Sequence, residues 1–157
     1  MWRSVALGLV TGMRSQLPTA LLAWRQSRGD LPEGVAGPAR FFNRRGAVPL
    51  TALTAIGELI GDKLPKTPSR LEVGSFVGRL TLGATSGAAI AVAFGRSRVV
   101  GGLLGSIGAA AGSVLGSQFR TAVSERTDVP DWVWGLVEDA TAVAIGLIAT
   151  RADDAGD

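Results

Sequence analysis

Apolar residues in this chain come in long blocks separated by short charged ones. From Val99 to Phe119 no side chain carries a charge, and the same holds from Leu80 to Phe94 and from Ala140 to Thr150. A bilayer core about 30 Å thick demands runs of roughly 20 apolar residues from any helix that crosses it. The blocks therefore predict an all-α fold, a polytopic transmembrane bundle of about five helices. The first span runs from Trp2 to about Trp24, the second from about Ala47 to Leu64 and the third from Leu71 to Phe94. The fourth runs from Val99 to Val123 and the fifth from Asp131 to Thr150. Together they make one membrane domain over residues 1–150, followed by an acidic tail, 151–157, expected to be disordered.

Two features interrupt this pattern. The first span contains the polar stretch Thr11-Gly12-Met13-Arg14-Ser15-Gln16, followed by Pro18. Proline removes a backbone donor and clashes one turn back, so this helix is expected to kink or unwind near Arg14. Pro65 and Pro68 stop the second span. The first apolar stretch continues past Pro18 with no small-residue cleavage site, and so reads as a retained helix.

Glycine changes the picture of packing. The chain has 22 glycines in 157 residues, about twice ordinary usage. Gly108, Gly112 and Gly116 recur every four residues after Gly101 and Gly105, and Gly8/Gly12, Gly57/Gly61, Gly74/Gly78 and Gly83/Gly87 repeat the spacing. In lipid, such ridges let helix backbones approach closely. Any of them can serve packing within the chain or a homodimer face.

Composition then excludes several functions. Charged residues make up 18% of the chain, against roughly 25% in average soluble proteins. There is no Cys, His or Tyr, which removes disulfides, Cys/His zinc sites and any nucleophile–His pair within the chain. No metal, cofactor or enzymatic activity is expected. The net charge is +3, but the arginines cluster between apolar blocks. They read as topology signals facing headgroups, and nucleic acid is not expected as a partner. With five spans, Arg3, Lys63, Lys66, Arg70 and Arg126 share one side. Arg25, Arg28, Arg40, Arg44, Arg45, Arg96, Arg98 and Arg151 share the other. The positive-inside rule then predicts an N-out/C-in orientation.

An internal repeat is also visible. Ser15-Gln16-Leu17-Pro18-Thr19-Ala20 resembles Ser117-Gln118-Phe119-Arg120-Thr121-Ala122, and Leu59-Ile60-Gly61-Asp62 resembles Leu136-Val137-Glu138-Asp139. Two spans separate the first from the fourth, so the pairs one–two and four–five are expected to form an inverted repeat. Inverted repeats with interrupted helices characterise secondary transporters, whose sites lie near the bilayer midplane.

The charges left inside the spans are the candidate site. Glu58 and Asp62 are four apart and share a helix face. Glu138 and Asp139 fall near the middle of the fifth span, Arg14 interrupts the first, Arg79 lies in the third, and Arg120 continues a glycine ridge of the fourth. Each costs at least about 2.5–3.5 kcal/mol at bilayer depth, so each must pair or face water. Asp62 and Asp139 occupy matching repeat positions, as do Gln16 and Gln118, and are expected to meet at the pseudo-two-fold axis. The candidate pathway is therefore Arg14, Gln16, Glu58, Asp62, Gln118, Arg120, Glu138 and Asp139.

The layout as a whole, with Gly12-x-Arg14 near the start and Glu58-Leu59-Ile60-Gly61-Asp62-Lys63-Leu64-Pro65 closing the second span, resembles a family of small bacterial integral membrane proteins carrying a domain of unknown function. The resemblance covers residues 4–150 and implies location in the bacterial inner membrane. The same stretch is similar to the cation-exchanger signature Glu-x-Gly-Asp-Lys/Arg-Ser/Thr, with one extra residue before the glycine and no closing hydroxyl. Two functions follow from the residues. One is a transporter or channel-like pathway for an ion, a proton or a small charged solute. The other is a non-catalytic membrane scaffold whose buried charges are structural ion pairs. An intramembrane aspartyl enzyme lacks its Tyr-Asp and Gly-x-Gly-Asp contexts here.

Overall fold

The structure is a computed structural model that describes residues 1–31, 46–61 and 71–151. Asp62, the Pro65 and Pro68 stops and the acidic tail beyond Arg151 lie outside the described residues. Six α-helices are present and no strand is found among the described residues. They are α1 (Trp2–Met13), α2 (Leu17–Ser27), α3 (Ala47–Gly61), α4 (Val73–Ala93), α5 (Arg98–Ser124) and α6 (Asp131–Ala149). Helices α4, α5 and α6 are long and apolar enough to cross a bilayer, which marks the chain as a membrane protein.

The packing is inverted relative to a soluble core. Val99, Leu103, Ile107 and Leu115 form an exposed apolar stripe along α5. Leu50, Leu53 and Ile56 do the same on α3. Beside a small apolar cluster around Leu7, Leu22 and Ile90, the interior holds glycines and charges. A Cβ on Gly8, Gly12, Gly108 or Gly112 would strike backbone across the α1–α5 contact. One on Gly83, Gly87, Gly101 or Gly105 would do so across α4–α5. Helix α5 is thus gripped on two sides by close backbone approach, as expected where no hydrophobic effect drives helices together. These ridges are used within the chain, whereas Gly57, Gly74 and Gly78 meet nothing within 4 Å.

The contacts also fix helix directions. Gly8 meets Gly105 while Gly12 meets Ala109 and Ser113, so α1 and α5 run parallel. The first and fourth predicted spans were expected to run in opposite directions, and for α1 and α5 this does not hold. Arg3 Nη1 donates to Ala149 O at 2.9 Å and Arg14 pairs with Asp139, so α1 and α6 are antiparallel. Helix α2 then turns back. Leu17 joins Val143 around one cavity, Leu21 packs on Gly146, and Leu22 and Ala23 share a core cluster with Leu7 and Ala149. Alongside α6, α2 therefore climbs towards the end of the bundle from which α1 set out.

The expected first span is consequently a helical hairpin, α1 in and α2 out. Its 12-residue α1 rises only about 18 Å, well short of a hydrocarbon core of about 30 Å. The unwinding expected near Arg14 is present, but it reverses the chain instead of merely kinking it. Arg14 is extended at φ −137°, ψ 102°, and Pro18 sits in the first turn of α2, where its missing N–H costs nothing. Both described ends of the chain meet where Arg3 bonds the carbonyls of Ala149 and Arg151. Five through-going spans would separate them, so the described helices do not bear out the expected five spans. Helix α3 starts at this same end, with Ala47 in the cluster of Leu22, Leu31 and Ile90, and descends to place Glu58 at the hairpin tip.

The internal repeat is not mirrored in helix shape. Helix α5 runs unbroken through Ser117–Ala122, where the repeat would place a second interruption. Arg120 stands there in the place of Pro18.

Candidate functional site

The hairpin tip leaves helix-end backbone groups inside the bundle. The last carbonyls of α1 and the first N–H groups of α2 have no partner within their own helices. At membrane depth such groups must be satisfied by protein or by water held in a cavity. Two side chains meet this demand with opposite charge. Glu58, arriving on α3, accepts the Ser15 N–H at 2.7 Å, the Ser15 hydroxyl at 2.6 Å and the Gln16 N–H at 2.9 Å. A carboxylate thereby sits on the positive end of α2. Arg79, arriving on α4, donates through Nη1 to Gly12 O at 3.0 Å and Thr11 O at 3.3 Å. A guanidinium thereby sits on the negative end of α1. Its other terminal nitrogen lies 3.6 Å from Glu58 Oε1.

Arg14, at the reversal itself, is buried and directs Nε to Asp139 Oδ1 on α6. Between these two pairs lies a cavity of about 90 Å³, lined by Arg14, Leu17, Ala55, Glu58, Asp139 and Val143. That is room enough for water. Asp139 keeps 22% of its side-chain surface exposed, whereas Arg79 and Glu58 keep 7% and 11%. The Asp139 carboxylate is therefore the more exposed of the two.

The structure brings four of the expected residues to this place: Arg14, Gln16, Glu58 and Asp139. Gln16 contributes its backbone N–H as the residue before α2. Asp62 lies outside the described residues. Gln118 is exposed on α5, and Arg120 pairs with Asp131 at the opposite end of the bundle from Arg3. Neither lines the cavity. Glu138 is buried, but being one residue from Asp139 it points about 100° away around α6, into a different cleft. Sequence reasoning missed Ser15, and it counted Arg79 among the intramembrane charges without including it in the pathway. Arg79 carried a signal, as a lone arginine in an otherwise apolar span. Ser15 carried none, because only the chain reversal gives its N–H and hydroxyl a shared acceptor.

Comparison with protein-family models, with curated proteins and with solved structures finds no match to this chain.

Proposed function

We propose that the protein is a membrane pathway for a proton, an ion or a small charged solute, centred on the cavity among Arg14, Glu58 and Asp139. The observation that carries this reading is a re-entrant hairpin whose tip abuts a cavity where Arg14, Glu58 and Asp139 converge among apolar side chains. Broken helices at membrane depth are the usual means by which transporters present helix ends and charges to a permeating species. Here Asp139 and Glu58 hold their arginines as exchangeable counter-charges. A passing proton or ion displaces one partner at a time and does not face bare hydrocarbon. The support comes from the hairpin, not from the internal repeat.

The resemblance of the sequence to small bacterial membrane proteins supports an inner-membrane location for this pathway. The chain then enters and leaves on one side. Among the described residues, Arg3, Arg25, Arg28, Arg96, Arg98 and Arg151 gather at the end where α1 starts and α6 finishes, against Arg120 and Arg126 at the other. By the positive-inside rule that end is cytoplasmic, with both termini in. Gly57, Gly74 and Gly78 remain available to a second copy.

A second reading, a structural scaffold, is favoured by the complete pairing of Arg14 with Asp139 and of Arg79 with Glu58. The two separate in reconstituted vesicles. Purified protein should dissipate an imposed proton or salt gradient, and Asp139→Asn and Glu58→Gln should each abolish that flux in folded protein. Flux that is absent from the wild type, or unchanged in both variants, would leave the scaffold standing.

A further inference from the structure

The Glu58 carboxylate fills a cradle of donors. Its Oε1 accepts the Ser15 N–H and hydroxyl at 2.7 and 2.6 Å, and its Oε2 accepts the Gln16 N–H at 2.9 Å. Arg79 Nη2 stands 3.6 Å from Oε1. The donors lie just ahead of α2, whose dipole also favours an anion there. Beside this cradle is the cavity of about 90 Å³, which Glu58 shares with the buried Arg14 and with Asp139. The described charges around it are Arg14 at the tip, Glu58 from α3, Arg79 from α4 and Asp139 from α6, two of each sign. No charged residue of α2 or α5 lines it among the described residues. Asp62, one turn further along the chain from Glu58, lies outside them.

The two signs differ in what they can give up. A guanidinium keeps its proton in proteins, whereas a carboxylate can take one up. Proton exchange can therefore raise the charge of this site above zero and never lower it below. An added cation would face two arginines with no charge left to offset it. An anion is offset as soon as one carboxyl is protonated. We propose, resting on the pathway reading of this cavity, that its ligand is a small monovalent oxyanion of carboxylate geometry, for which Glu58 is the tethered stand-in. When Glu58 takes up a proton, its carboxyl leaves the donors for the adjoining cavity. The free anion then accepts the Ser15 and Gln16 N–H groups in its place. When Glu58 gives the proton up, its carboxylate returns and expels the anion, so one proton accompanies each anion. Two oxygens on one centre suit the cradle, because Oε1 and Oε2 are held by different donors. The cavity is far smaller than the roughly 300–1,000 Å³ of ordinary ligand pockets, which limits the occupant to an ion of a few atoms, such as nitrate, formate or bicarbonate.

The test uses the full chain in nanodiscs and in sealed vesicles, with nitrate as the probe because it stays ionised throughout. Nitrate replaces gluconate at constant potassium and ionic strength, and binding is read from the rise in unfolding temperature. Wild-type affinity for nitrate should increase as pH falls, by up to about tenfold per pH unit, the limit for one proton taken up with each anion. Glu58→Gln keeps the donors without the competing charge. It should bind nitrate more tightly than wild type at neutral pH and lose most of the pH response, while its flux stops because nothing expels the anion. Ala55→Leu fills the cavity with every charge in place and should abolish nitrate binding, which decides the matter if Glu58→Gln does not fold. Nitrate affinity unchanged in Ala55→Leu, or independent of pH in the wild type, would overturn the proposal. Potassium or proton flux without nitrate binding would overturn it too and leave the pathway standing. Nitrate binding without flux would do the reverse, upholding the anion site and removing the pathway.

Discussion

Glu58 and Arg79 lie 3.6 Å apart across the break in a helix, each capping the half that the other does not. The carboxylate covers the N–H groups of Ser15 and Gln16 just ahead of α2, and the guanidinium covers the last carbonyls of α1. Their mutual attraction is thus only part of what holds them. Each also satisfies backbone groups that a chain reversal inside a bundle would otherwise strand.

This arrangement predicts strong coupling between the two residues. Glu58→Gln and Arg79→Met should each destabilise the folded protein by about 3–5 kcal/mol, as for removing one partner of a buried pair. The double variant should cost clearly less than the sum of the two. A double-mutant cycle by denaturant unfolding in micelles checks this. Strict additivity would mean that the pair does not act as a unit.

The hairpin makes a topological prediction that a five-span bundle does not share. The chain contains no cysteine, so single cysteines can be introduced freely. Cysteines replacing Arg28, Arg96 and Arg151 should all react with an impermeant thiol reagent from the same face of sealed vesicles, and one replacing Arg126 from the other. Labelling at 28 from the face that labels 126 would return α1 and α2 to a through-going span.

The cavity at the tip should be wet. Ser15→Cys should react with small hydrophilic thiol reagents, and the reaction should slow when Ala55 or Val143 on the cavity wall is enlarged to Leu. Ser86, fully buried on α4, supplies the dry control, and Ser86→Cys should stay inert. Equal reactivity at 15 and 86 would argue against a local water-filled space.

Glycine positions should divide sharply by partner. Gly105→Ala would drive a methyl into the Gly83 carbonyl, and Gly8→Ala would do the same to Gly105. Each should cost about 1–3 kcal/mol, as overpacking does. Gly74→Ala and Gly78→Ala enter open space on α4 and should be neutral or stabilising by up to about 1 kcal/mol through helix propensity. Thermal unfolding of the four variants in one detergent decides it.

Much of the fold was legible in the chain because bilayer physics is local. An apolar run of 20 residues must be a helix wherever it packs, and the boundaries at 73–93, 98–124 and 131–149 lie close to those read from charge and proline alone. The interruption near Arg14 was legible for the same reason, since Pro18 and a polar run break a helix by themselves. The sense of the break was not. Whether a chain kinks or reverses at Ser15 depends on Glu58 and Arg79, which arrive from 43 and 64 residues away, and on Leu21 finding Gly146. That reversal set the parallel course of α1 and α5 and brought Arg3 to the last carbonyls of α6. It also divided neighbours that sequence treated alike. Glu138 and Asp139 were one acidic pair on paper, but the 100° turn per helical residue sends Asp139 to Arg14 and Glu138 to an apolar cleft. The sequence determined which residues are charged within the membrane and which helices carry them. Tertiary structure alone decided which charges meet, because pairing is a matter of helix direction and rotation, which are set by close contacts among distant glycines.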